Sequence, residues 1–181
     1  DGRVPELVAL VDARGRVSGS APRSVVRRDN LPHAATAVLV RNTAGEIFVH
    51  RRSPEKDWAP GFHDAAAGGV MQYGEEPGDS AARELEEELG ISGVGLSPLG
   101  TSWYEDEQTR CLEHCYETVW DGPVTYVDAE VVWGEWMTLA RLAHLLSDPA
   151  WPFVPDTRAL LARLAVEGVG DYAELTRPRS S

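Results

Sequence analysis

Residues 69–91 read GVMQYGEEPGDSAARELEEELGI, and this stretch decides the fold. A helix is expected over residues 79–89. Asp79 or Ser80 can cap its start, and Gly90 can end it in the left-handed conformation. Ala81, Ala82, Leu85 and Leu89 give it an apolar side. Glu84, Glu87 and Glu88 stand at i, i+3 and i+4, so they share a face, expected to lie opposite the apolar side. That placement is costly. Glu84 and Glu88 repel by ~0.2–0.5 kcal/mol in an exposed helix. Glu86, Glu87 and Glu88 also crowd the negative end of the helix dipole, at ~0.3–1 kcal/mol each. Arg83, four residues before Glu87, offsets part of this. A divalent cation resolves the rest, because Mg²⁺ takes carboxylates, waters and phosphate oxygens as ligands, and can then polarise a phosphoryl oxygen and activate water. A solvated acidic helix is the ordinary reading of residues 84–88 alone. The wider pattern overturns it.

That pattern runs Gly69, five residues, Glu75, seven residues, Arg83-Glu84-Leu85, any residue, Glu87-Glu88, any residue, Gly90 and Ile91. It resembles the Nudix box at every specified position, seven fixed identities and two aliphatic ones. The resemblance implies an α+β fold, with a mixed β-sheet sandwiched between α-helices in an α/β/α arrangement and the box forming loop–helix–loop. It further implies that Glu84, Glu87 and Glu88 ligate Mg²⁺ or Mn²⁺, with Glu84 the possible base that activates water. Glu75 and Arg83 would brace the loop and the glutamates, with Gly69 and Gly90 shaping the box. Gly68 would offer its backbone carbonyl to a metal. Glu130 lies where several family members place an additional glutamate; Asp128 and Glu135 are alternatives in the same stretch.

Outward from the box, residues 6–11 and 16–20 read as a hairpin around Asp12-Ala13-Arg14-Gly15. Residues 23–30 are a loop or short helix. Residues 34–40 and 46–50 are apolar strands, 51–62 a surface loop, and 63–70 a strand that turns at Gly68-Gly69. Residues 94–104, 110–120 and 131–137 read as further strands. Residues 138–147 and 156–167 read as amphipathic helices, the second capped by Asp156. The whole chain is expected to form one domain, with flexible ends at 1–5 and 176–181.

The 181 residues carry a net charge of −12, with hydrophobic residues at 43%. Such a surface repels a nucleic-acid backbone, which needs basic patches, but admits a small phosphate substrate bridged by metal. No apolar run approaches the ~20 residues of a membrane span, and no basic-then-apolar segment opens the chain, so a cytoplasmic protein with no membrane partner is expected. Cys111 and Cys115 sit four apart on one strand, ~13 Å from each other, too far for a disulfide. They share a face with Glu113 and Glu117, to which no chemistry is assigned.

His50-Arg51-Arg52, Lys56, Pro60-Gly61 and His33-Ala34-Ala35 resemble the branch of the superfamily that includes isopentenyl diphosphate isomerase and related bacterial hydrolases. The isomerase motif Cys-Cys-Ser-His is matched here by Ala66-Ala67-Gly68-Gly69, and its Glu-His-Glu by Glu113-His114-Cys115. Ala67 and Cys115 thus stand where that enzyme has its catalytic cysteine and glutamate. Isomerase-like chemistry is therefore the alternative, and a nucleotide-sensing Nudix module without catalysis a second one. Arg51, Arg52 and Lys56 are candidates to clamp substrate phosphates. Tyr104, with Trp103 and Glu105, could line a base pocket. His33 reads as structural rather than metal-binding, and Trp133 and Trp136 as core. The expected activity is metal-dependent hydrolysis of a diphosphate linkage in a nucleoside diphosphate derivative or related small molecule. A homodimer is common among relatives of this kind.

Overall fold

The computed structural model describes residues 6–126 and 131–176. A hairpin of β1 (Leu7–Val11) and β2 (Val17–Pro22) precedes helix α1 (Arg23–Asp29). Strands β3 (His33–Arg41), β4 (Glu46–Arg52), β5 (His63–Asp64) and β6 (Ala66–Val70) follow. Helix α2 (Pro77–Leu89) separates them from β7 (Ser97–Glu105), β8 (Arg110–Val119) and β9 (Val131–Thr138). Helices α3 (Leu139–Leu146) and α4 (Pro155–Val166) and a 3-10 turn (Tyr172–Thr176) come last.

β3 organises the sheet. All nine of its residues are buried, as expected for a continuous apolar run covered on both faces. It pairs antiparallel with β6, with Thr36 opposite Gly69 and Ala37 opposite Gly68. On its other side it runs parallel to β8, from His33 opposite Cys111 to Arg41 opposite Val119. β8 in turn pairs with β7, and β4 carries β9 and β5. The sheet is therefore mixed.

Alternation along β3 feeds two cores. Ala37 and Leu39 join Ile47, Val49 and Met137 beneath Leu142, Leu160 and Leu164 of α3 and α4. Val38 and Val40 join Phe48 and Ala67 beneath Ala81, Leu85 and Leu89 of α2. Helices thus cover both sheet faces, which is the expected α/β/α arrangement. At the end of β3, the buried Arg41 guanidinium donates to both carboxylate oxygens of Asp171 (2.8 and 2.6 Å) and stacks on Tyr172. This ties the 3-10 turn to the sheet, and burial and the Arg41 contact together fix the Tyr172 ring.

Several expectations are corrected. α2 begins at Pro77, two residues before the expected start, because proline's fixed φ suits the first helical position; neither Asp79 nor Ser80 caps it. Gly90 does end it, at φ +67°. A side chain there would also meet Thr125, whose Oγ1 would lie 2.8 Å from the added carbon. α4 begins at Pro155 for the same reason, and Asp156 is a half-buried first-turn residue rather than a cap. The 63–70 segment is two short strands, not one, because pairing passes from β4 to β3 across Ala65. Arg51 and Arg52 belong to β4, not to a surface loop. Trp133 is 39% exposed, whereas Trp136 packs edge-on against Phe48. Cys111 and Cys115 are both free and buried.

Leu85 is the side chain by which α2 is seated on the sheet, and it is 1% exposed. Leu85→Ala should lower unfolding free energy by ~2–5 kcal/mol, read from urea denaturation. A change below ~1 kcal/mol would contradict this seating.

Candidate active site

α2 places its carboxylates at a cavity rather than in open solvent. Ala81, Glu84, Leu85 and Glu88 follow i, i+3, i+4 and i+7, so they share one side of the helix. Glu84 and Glu88 are therefore not opposite the apolar side but border it, and are only 9% and 4% exposed. Glu87, one row further round, is about half exposed. The expected solvated face is thus split between two buried carboxylates and one open one.

Arg83 holds this arrangement. Its Nε and Nη2 donate to the two oxygens of Glu75 at 2.8 and 2.9 Å, a bidentate fork. Its Nη1 donates to Glu84 Oε1 at 3.1 Å and to Glu87 Oε2 at 3.2 Å. Glu75 also accepts from the Gln72 amide, so the fork pins the loop before α2 to the helix. The Arg83 guanidinium holds the Glu75 carboxyl below its usual range. Gly69 leaves room for Glu84: an added carbon would lie 2.9 Å from Glu84 Oε1 and would displace that carboxylate. At Gly68 it would lie 1.9 Å from the Thr36 carbonyl oxygen, so strand pairing excludes any side chain there.

The cavity has a volume of about 620 Å³. Glu84, Glu87 and Glu88 line it from α2, and Gly68 and Gly69 from β6. Basic residues face it as well: Arg23 and Arg27 from α1, Arg52 from β4, and Lys56 from the loop after it. Ala35 and Ala37 of β3 leave it room. Burial, and then the neighbouring Glu84, push the Glu88 carboxyl well above the usual carboxylate range. Lys56 and Arg52 act in the opposite direction. Arg52 is locked in place, donating to the Trp58 carbonyl from Nε (3.3 Å) and Nη2 (3.0 Å) and lying over the Trp58 ring.

The structure divides the sequence-derived candidates. Arg83, Glu84, Glu87, Glu88, Gly68, Gly69, Arg52 and Lys56 meet at this cavity. Arg51 does not line it; alternation along β4 turns it the other way, and its Nε donates to the Gly61 carbonyl. Tyr104 does not line it either, being on β7 with its hydroxyl on Asp106 at 2.8 Å. Glu130 and Asp128 lie outside the described residues, and Glu135 pairs with Arg141 at 2.8 Å. Ala67 and Cys115 pack in opposite cores. His33 is buried and donates from Nδ1 to the Leu31 carbonyl at 2.8 Å, since a carbonyl can only accept. Burial holds its pKa down at about 4, so the ring is neutral.

Sequence reasoning missed the inner end of the cavity. Asp64, Cys111, Glu113 and Asp156 line it. Asp64 Oδ1 accepts from Thr157 Oγ1 (2.7 Å) and the Ala66 amide (2.9 Å), and burial raises its pKa to about 7. The available signal was charge inside apolar strands, as in Asp64 before a run of alanines and Glu113 within β8. On α1, Arg23 and Arg27 are spaced four apart, which puts both on one face.

Comparison with known proteins extends the likeness far beyond the box. A model of the NUDIX domain matches residues 31–162. The Rhodococcus erythropolis Nudix hydrolase orf19 is 44% identical over 167 residues, spanning 87% of this chain and 90% of the relative. The Nudix hydrolase YfcD of Escherichia coli K12 is 36% identical over 157 residues, spanning 87% and 85%. Among solved structures, DR0079 from Deinococcus radiodurans superposes with a TM-score of 0.74 at 26% identity, covering 87% of this chain and 98% of that one. Since the matched domain takes in every element from β3 into α4 as well as the box helix, the chain belongs to the Nudix family and is a Nudix hydrolase.

Proposed function

We propose that this chain hydrolyses a diphosphate linkage in a nucleoside diphosphate derivative or a related small molecule, with Mg²⁺ or Mn²⁺ as cofactor. The observation that carries the reading is the burial of Glu84 and Glu88 beside each other in a cavity that Arg52 and Lys56 also line. Two desolvated carboxylates one helical turn apart are unfavourable without a cation. Their hard oxygen donors suit Mg²⁺ or Mn²⁺ rather than a soft ion. Glu84, Glu87 and Glu88 would hold the ion, with the Gly68 carbonyl as a further ligand and Glu130 as a candidate addition. A bound divalent ion supplies Lewis acidity at a phosphoryl oxygen and lowers the pKa of water.

The chain's own residues do the rest. Arg83 fixes the Glu84 carboxylate from Nη1, and Glu84 is, as an alternative to ligating the ion, the candidate to take the proton from the attacking water. Glu75 keeps Arg83 from collapsing onto the other glutamates by occupying Nε and Nη2. Arg52 and Lys56 place positive charge where substrate phosphates would lie. Arg51 and Tyr104, facing elsewhere, could act on substrate only after rearrangement. Isomerase-like chemistry has no support here, because Ala67 and Cys115 are core residues outside the cavity.

A panel of diphosphate compounds assayed with Mg²⁺ and Mn²⁺ should reveal turnover that EDTA abolishes. Glu87→Gln and Glu88→Gln should each cut kcat by ~10²-fold or more, equivalent to ~3 kcal/mol, with unchanged circular dichroism. Wild-type turnover in both variants would remove the carboxylates from the reaction.

Metal addition should also raise the thermal unfolding midpoint, since an ion bound only by the folded state stabilises it. Glu88→Gln should blunt that rise; an equal shift in wild type and variant would place the ion elsewhere.

Metal-free protein should lose stability with rising pH. Glu88 and Asp64 have raised folded pKa values, so their contribution is present below the unfolded carboxylate pKa of ~4 and lost as pH rises through the folded values. The neutral buried His33 and His50 act oppositely, but only below their unfolded pKa of ~6.5. Chemical denaturation with EDTA should therefore show stability that declines above pH ~6.5 as pH passes through the folded Asp64 value of about 7. A flat or rising profile would contradict the burial of ionisable carboxyls.

A further inference from the structure

The inner end of the cavity holds a cluster that the hydrolytic reading does not use. Cys111 and Glu113 are two residues apart on β8 and so project from the same face of the strand. Asp156 reaches them from the first turn of α4. The Cys111 sulfur and one carboxylate oxygen each from Glu113 and Asp156 all lie within 4.8 Å of one another. Tetrahedral coordination at Zn–S and Zn–O distances puts such donors about 3.4–3.6 Å apart, inside that limit.

A second observation points to a ligand. Glu113 is 4% exposed, and its Oε1 is buried with no hydrogen-bond partner. Asp156 Oδ1 is in the same condition. The two carboxyls also stand within hydrogen-bonding reach of each other, and two such groups with no donor from the surrounding protein coexist only by sharing a proton or a cation. Arg52 donates to the Trp58 carbonyl, and Arg27 donates from Nη1 to Thr109 Oγ1 while its Nε is buried without a hydrogen-bond partner. Among the described residues, no salt bridge reaches Glu113 or Asp156.

We propose that Cys111, Glu113 and Asp156 form a second metal site, taking a borderline divalent cation such as Zn²⁺ or Co²⁺. One thiolate with two carboxylates favours such an ion over Mg²⁺, which the all-oxygen glutamate set of α2 would bind. Three protein ligands leave a fourth position for water or a substrate oxygen. All three residues line the cavity, so that position is shared with the space where substrate would bind. Burial raises the proton affinity of all three groups. The ion therefore replaces protons, which leave to solvent, without any redox change.

The site stands independently of the hydrolase reading, and Co²⁺ tests it spectroscopically. EDTA-treated, dialysed, reduced full-length protein is titrated with Co²⁺ while a sulfur-to-cobalt charge-transfer band and tetrahedral d–d absorption are followed. Both should appear in wild type, persist in Glu88→Gln and in Cys115→Ser, and vanish in Cys111→Ser. Asp156→Asn should weaken Co²⁺ binding about tenfold or more, and circular dichroism should confirm that each variant is folded. Co²⁺ binding without a sulfur band, a band that survives Cys111→Ser, or no binding at all would overturn the proposal. Each of these results would leave the cluster as a set of protonated acids.

Discussion

The constraint on which this structure depends is the repulsion between two carboxylates taken out of water. Glu84 and Glu88 lie on the side of α2 that also carries Ala81 and Leu85, so docking the helix on the sheet necessarily buries them. The hydrophobic contact cannot be made without the electrostatic cost. Arg83 limits that cost at Glu84 but leaves Glu88 with a carboxyl that burial holds well above its usual range. Folding energy from the apolar row thus brings two closely spaced carboxyl groups into the site, and a divalent cation is the group best suited to offset the repulsion of their ionised forms.

The surrounding fold serves that arrangement. Gly69 is bare because Glu84 occupies the space its side chain would take, and Gly68 because β3 lies too close. The Glu75–Arg83 fork ties the loop to the helix and holds the guanidinium where its Nη1 reaches Glu84 and Glu87. β3 pairs with β6 on one side and β8 on the other, and so brings the box glycines and the Cys111–Glu113 strand to a single cavity. Small residues along β3 keep that cavity open.

Much of this was legible in the sequence, because regular periodicity and local chemistry carry it. The 3.6-residue pattern identified α2, the apolar runs identified β3 and β4, and the spacing of glycine and glutamate identified the family. What was not legible depends on tertiary placement. A helical pattern shows that Glu84 and Glu88 share a side but not whether that side meets water. Asp64, Glu113 and Asp156 are far apart in the chain and converge only through the β3–β8 pairing and the docking of α4. The alternation of β4 decides between Arg51 and Arg52, and a loop reading of that segment hides it. Helix starts at Pro77 and Pro155 were misread because side-chain capping was preferred to proline in the first turn.

The central claim is that the buried glutamates of α2 hold a divalent cation. Anomalous diffraction from crystals equilibrated with Mn²⁺ tests it most directly. An anomalous peak within coordinating distance of the Glu84 and Glu88 carboxylates is the predicted result. No peak between those carboxylates at saturating Mn²⁺, in protein that remains folded and active, would contradict it.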